Sequence, residues 1–206
     1  MTETERMLSG KLYDPGDPAL AALRREAHIL CQRYNLLAED EEAARADILR
    51  QLLPEHGENL YLQGPIQFDY GRFTTFGANC YANFNLTVLD CCPVVIGDNV
   101  FFGTNVSLLT PIHPLRWQER NLFLHPERGE LTDREYAAPI TIGSSVWIAG
   151  SVTVTGGVTI GSGSVIGAGS VVTRDVPENV LAFGSPCRVI RPITEADRLS
   201  LRPELF

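Results

Sequence analysis

Positive charge is scarce in this chain of 206 residues: 17 Lys and Arg stand against 25 Asp and Glu, a formal net charge of −8. A protein that grips a phosphate backbone needs a broad basic surface, so nucleic acid is excluded as a main partner. Any anionic ligand has to rely on a local group of arginines. No apolar run has membrane-spanning length, and Met1 to Lys11 is charged rather than built as an apolar leader, which points to a cytoplasmic protein. Cysteine occurs at 31, 80, 91, 92 and 187, an odd set with no C-x-x-C pair. Neither a disulfide framework nor a cysteine zinc site is expected, and the thiols read as reduced. Histidine is sparse too, with only His28, His56, His113 and His125.

What is present is a repeat. Ile142, Ile148, Val154, Ile160, Ile166 and Val172 recur every six residues, and Val146, Val152, Val158, Ser164, Ser170 and Val176 keep the same step four residues later. A period of six suits neither a helix face nor a plain amphipathic strand. It suits short strands joined by tight turns, with the aliphatic residue of each hexad pointing into a narrow interior. Gly143, Gly161 and Gly167 directly follow their aliphatic neighbours, as crowded corners require. Three hexads close a triangular coil of about 18 residues, and coils stack at the strand spacing of about 4.8 Å.

The chain divides into a helical cap over 1–57, a solenoid over 58–192 and a tail over 193–206. In the cap, Asp17-Pro18 reads as N-cap and first helical position, with Leu20, Leu23, Ala27, Leu30 and Tyr34 on one face. A second helix is predicted from Glu41 to Leu53. In the solenoid, Phe76, Ala82 and Val88 hold the hexad step, and Ile96, Phe102 and Leu108 resume it two residues out of phase, which places a bulged corner at Leu89 to Pro93. The repeat stops at Thr110 and returns near Pro139. The polar excursion over 111–138 is long for a compact solenoid, and such loops usually carry function. His113 stands at its root and is the histidine that adjoins the rigid coil.

These segments resemble the hexapeptide-repeat acyltransferases, and more narrowly their maltose and galactoside O-acetyltransferase branch. The resemblance is carried by Ile148 to Val154 with Ile160-Gly161 and Ile166-Gly167, by Gly10 to Pro15, by Phe68-Asp69-Tyr70-Gly71, by Tyr81 to Asn85, by Thr110-Pro111-Ile112-His113-Pro114, and by Thr173 to Pro177 with Gly184 to Arg191. It implies an all-β left-handed parallel β-helix with an N-terminal α-helical cap, an acetyl-CoA co-substrate with no metal, and a homotrimer.

For the site, the resemblance makes His113 the general base and sets Asp69, Asn83 and Asp90 against a small sugar acceptor, with Asp14 joining from the cap. Glu135 orients His113, touches substrate or is an ordinary loop carboxylate. Asn83 and Asn85 have a second reading as rungs of an asparagine ladder. Toward coenzyme A stand Gly150, Ala168, Thr173, Arg174, Arg188 and Arg191, the arginines forming the local basic cluster that an acidic protein needs for phosphates. Cys91 falls where the galactoside enzymes carry a second acidic residue, and the excursion is longer than theirs. Both departures weigh against a galactoside acceptor.

Two other classes compete. β-Helical carbonic anhydrases hold zinc with three histidines on neighbouring coils, whereas the regular repeat blocks here contain none. A non-catalytic scaffold is the other. Apolar side chains such as Phe101, Phe102 and Trp147 are expected to need cover that a lone triangular coil lacks, which association supplies.

Overall fold

The computed structural model describes residues 1–205. Its hexads become rungs. All six first-row residues from Ile142 to Val172 are at most 1% exposed, and the second row is buried beside them. Each rung turns through three short parallel strands, so the chain builds three flat faces around one apolar interior.

The first face stacks Tyr61–Leu62, Tyr81–Ala82, Phe101–Phe102, Trp147–Ile148, Val165–Ile166 and Val180–Phe183. The second stacks Ile66–Phe68, Leu86–Leu89, Ser107–Leu109, Thr153–Thr155 and Val171–Val172; the third stacks Thr74–Phe76, Val94–Ile96, Ile140–Ile142 and Thr159–Ile160. The ladders keep the aliphatic residues in register. Ala82, Phe102, Ile148, Ile166 and Ala182 lie one above another, as do Val88, Leu108, Val154 and Val172.

The extra residues all enter at one corner, between the second and third faces. The chain takes that corner from Phe68 to Thr74, from Leu89 to Val94, and from Leu109 through the whole excursion to Ile140. One rung later it passes tightly from Thr155 to Thr159. The slip expected at Leu89 to Pro93 is therefore one storey of a widened column that positions the site.

The other corners are tight for identifiable reasons. A Cβ added at Gly161 would lie 2.3 Å from the Glu178 backbone nitrogen of the next rung, so only glycine permits that approach. The narrow second-row serines satisfy backbone groups that an aliphatic residue would leave bare: Ser164 Oγ donates to Pro177 O at 2.7 Å and accepts from Val180 N at 3.1 Å. Asn85, at φ 65°, donates its amide to Asn105 Oδ1 at 2.8 Å, so it belongs to an asparagine ladder. Asn83 does not. Its Oδ1 accepts from Phe84 N at 2.8 Å, and it stays partly exposed.

Three helices form the cap: α1 (Glu3–Leu8), α2 (Pro18–Leu36) and α3 (Glu42–Leu52). Asp17 caps α2 by accepting from Ala19 N and Leu20 N, and Leu20, Ala27, Leu30 and Tyr34 are buried on its predicted face. α1 is an addition to the predicted pair, set by a capping box between Thr2 and Glu5. The cap also closes the open edge of the lowest rung, where ladder groups would otherwise be unpaired. Asn35 bonds both the N–H and the carbonyl of Ile66, at 2.8 and 2.9 Å, while Tyr34 Oη and Arg45 both donate to Leu62 O. At the far end Val180–Phe183 folds back antiparallel to Arg188–Pro192 before short turns in the tail. Phe206, the last residue of the expected tail, lies outside the described residues.

One expectation about the surface is corrected. Phe101 and Trp147 are about half exposed on the first face, but Phe102 is buried at 1% because it occupies the inward hexad position between Ala82 and Ile148.

Candidate active site

The widened corner carries the chemistry. As the excursion leaves the second face, Pro111–Ile112 pairs antiparallel with the returning strand Tyr136–Ala137. That pairing sets His113 beside the residues that precede Tyr136. Asp133 Oδ2 is 3.5 Å from His113 Nδ1, and Glu135 Oε2 is 3.6 Å from His113 Nε2. The imidazole itself is half exposed. It therefore has a carboxylate at each nitrogen and an open side, an arrangement in which an imidazolium formed during proton transfer is electrostatically stabilised.

Glu135 is anchored from below. Tyr13 in the cap forms an antiparallel bridge with it, Tyr13 N donating to Glu135 O at 2.9 Å and Glu135 N to Tyr13 O at 3.3 Å, and the Tyr13 hydroxyl donates to Glu135 Oε1. Burial pushes the Glu135 carboxyl up, opposed by the Tyr13 hydrogen bond and the nearby His113. Tyr13 is 2% exposed, and its hydroxyl is held protonated mainly by burial, with Cys91 and Glu135 adding to the effect.

The other acidic residues take different duties. Asp90 is fully buried and its oxygens accept from Tyr70 N at 2.8 Å, Phe73 N at 3.3 Å and Thr74 Oγ1 at 3.0 Å. It thus braces the corner of the rung beneath instead of facing an open surface. Asp14 accepts from Arg128, from the Thr132 hydroxyl and from Gly16 N at 2.9 Å, which makes it a clasp between cap and excursion. Asp69 is the freer one, with His28 Nε2 at 3.5 Å and the Cys91 thiol at 3.6 Å.

The residues expected to meet coenzyme A fall at two corners. Gly150 and Ala168 stack one rung apart between the first and second faces, on the column that Asn83 occupies lower down. Thr173 and Arg174 follow the strand Val171–Val172, at the corner shared with Asp69, Asp90 and His113. The two corners bound opposite edges of the second face. Nor do the arginines cluster as expected. Arg188 lies near the start of that same strand, where Cys187 N donates to Val171 O, while Arg191 is turned to Asp197 in a two-pronged contact at 2.8 and 2.6 Å. The strand Arg188–Pro192 runs back along Val180–Phe183 and thereby separates them from Arg174.

Asp133 and Tyr13 were not singled out from the sequence. Asp133 and Glu135 alternate in Asp133-Arg134-Glu135, the spacing that puts two side chains on one side of a strand. Tyr13 adjoins Asp14 in the segment read only for its carboxylate. A cavity of about 810 Å³ is lined by Leu12, Pro114, Leu115, Phe123, Arg134 and Tyr136, among others. From the returning strand it takes Arg134 and Tyr136, and it reaches Pro114, next in sequence to His113.

A capped parallel solenoid with a histidine-bearing excursion defines the class: a hexapeptide-repeat acyltransferase, with the left-handed parallel β-helix expected of it. The maltose acetyltransferase hexapeptide capping motif matches residues 6–57, the six-repeat bacterial transferase hexapeptide matches 139–174, and the hexapeptide repeat of succinyl-transferase matches 93–113. The galactoside O-acetyltransferase of Escherichia coli K12 is 41% identical over 96% of this chain and 93% of its own. A maltose O-acetyltransferase from Clostridium difficile 630 superposes with a TM-score of 0.86 at 44% identity, covering 95% of this chain and 99% of that one. A galactoside acetyltransferase in complex with coenzyme A gives a TM-score of 0.85 at 41% identity, over 96% and 94%. The chain belongs to the maltose and galactoside O-acetyltransferase branch of the hexapeptide-repeat acyltransferases.

Proposed function

We propose that this acyltransferase moves the acetyl group of acetyl-CoA to a hydroxyl of a small sugar or glycoside, with His113 as general base. The observation that carries the reading is His113 half exposed between Asp133 and Glu135 at the widened corner. A sugar hydroxyl is a weak nucleophile at neutral pH and needs a base within hydrogen-bond reach. The imidazole takes the acceptor's proton as the acceptor oxygen attacks the thioester carbonyl, and the carboxylates of Asp133 and Glu135 beside its two nitrogens stabilise the imidazolium that forms. The tetrahedral oxyanion is met by a backbone N–H at the Gly150 corner, where Gly150 itself carries no side chain to block its approach. Collapse breaks the C–S bond, and the leaving thiolate recovers the proton from the imidazolium. Asp69 and Asn83 supply the oxygens that receive sugar hydroxyls.

The same reading includes a homotrimer with sites between subunits. His113 and Asn83 stand at corners on opposite edges of one face, so a single chain does not bring them together; a neighbour packed in parallel does. The first face supports this with an exposed aromatic column in which Tyr61 stacks on Tyr81 at 5.9 Å and Tyr81 meets Phe101 at 6.5 Å, with Trp147 half exposed above. Five buried free thiols suit the cytoplasm. The test is an acceptor panel of sugars and glycosides with acetyl-CoA, reading released thiol and product mass. Acetylated product with any of them supports the reading; a panel that releases no thiol, with coenzyme A bound, favours a scaffold.

A further inference from the structure

The geometry points to Tyr13 as a positioning residue for acetyl transfer: the cap supplies, through its hydroxyl, the hydrogen bond that aims Glu135 at His113. The proposal rests on the reading of His113 as base and extends it into a segment outside the solenoid. Three observations carry it. The backbone bridge between Tyr13 and Glu135 makes them a directly opposed antiparallel pair, whose side chains project to the same side. Both residues are buried, at 2% and 9% exposure, so water does not compete for the bond. The two carboxylate oxygens are then divided, Oε1 accepting from Tyr13 and Oε2 standing 3.6 Å from His113 Nε2.

The surroundings explain why the tyrosine serves this carboxylate. The titratable groups facing Glu135 are Tyr13 from the cap, His113 and Asp133 from the excursion, and Asp69 from a lower corner. Those facing Tyr13 are Glu135 and Cys91. Burial pushes the Cys91 thiol up, so it stays neutral and does not compete with Glu135 for the Tyr13 proton. Without the hydroxyl, Glu135 would keep its burial but lose a bond that favours its ionised form, and its rotamer would be free to turn from His113.

The test uses the full-length protein. Tyr13→Phe should lower kcat about tenfold while KM for both substrates stays within about twofold, a share of what a general base contributes. The acid limb of the kcat profile should move to higher pH, because Glu135 is then protonated more easily. Glu135→Gln should cost at least as much, and adding Tyr13→Phe to it should cost little more. An unshifted limb, or losses that multiply in the double variant, would overturn the proposal. Unfolding midpoint and coenzyme A affinity, unchanged in Tyr13→Phe, exclude a folding defect. His113→Ala separates the two levels: if that variant keeps turnover the base reading fails, whereas an inactive His113→Ala beside a fully active Tyr13→Phe sinks only the role of Tyr13.

Discussion

Asp14 and Arg128, 114 positions apart, form an ion pair that fastens the cap to the excursion. Thr132 adds its hydroxyl to the same carboxylate, and His125 Nε2 lies 3.8 Å away. Burial alone would push the Asp14 carboxyl up, but the bonds from Thr132 and Arg128 hold it below the usual carboxylate range. A depressed value means that the clasp contributes fully above the unfolded value of about 3.9 and is lost as pH falls through the lower folded one. Asp14→Asn should therefore make the excursion several-fold more sensitive to protease at neutral pH, and should remove the acid-induced opening expected of the parent. Equal cleavage of both proteins from neutral pH to pH 3 would contradict this.

The tight corners carry a stability prediction. Gly161→Ala drives a Cβ to 2.3 Å from the Glu178 nitrogen and 2.6 Å from the Pro177 carbonyl carbon, backbone atoms that cannot swing aside. The rung must shift, at a cost of about 1–3 kcal/mol as for other overpacked sites. Urea unfolding reads it directly: a midpoint equal to that of the parent would show that the rungs tolerate the added methyl.

Much of this fold was legible because its period is written in single residues. Ile and Val every six positions fix the inward row, and the two-residue slip after Val88 marks the widened corner. Asp17-Pro18 likewise announces α2. What the sequence concealed depends on which corner follows which. Asn83 and His113 both carry the family's motifs, yet only the register shows them on opposite edges of a face. Asp90 looked like an acceptor ligand, but a carboxylate at that corner meets three donors from the rung below and turns inward. Arg174, Arg188 and Arg191 looked clustered until the final strand reversed direction. Tyr13 and Asp133 make contacts set by the return of a long excursion, which no local spacing encodes.

Coenzyme A binding should separate the arginines. Arg188→Ala is expected to weaken coenzyme A more than dephospho-coenzyme A, since only the former carries the 3′-phosphate. Arg191→Ala should do less, because Asp197 already holds that guanidinium and has its own carboxyl lowered to about 2 by the contact. Asp197→Asn should then tighten coenzyme A by releasing Arg191. Calorimetry with both ligands checks each step. Equal losses for the two ligands would move the contact to the pyrophosphate.

Subunit mixing tests the shared site. Inactive His113→Ala chains exchanged with inactive Asn83→Ala chains should regain part of the activity, because some interfaces then combine an intact His113 with an intact Asn83. Light scattering should give a threefold mass. A monomer, or no recovery despite demonstrated exchange, would contradict it.

The central claim is that His113 takes the proton of the acceptor hydroxyl, and one comparison addresses it most directly. Turnover of the parent and of His113→Ala should be measured with acetyl-CoA and the best acceptor of the panel, beside coenzyme A affinity and unfolding midpoint. The expected result is a fall of about 10²–10⁴-fold in kcat with affinity and midpoint nearly unchanged. Turnover at the parent rate would contradict the claim, and so would a loss that merely follows lost coenzyme A binding.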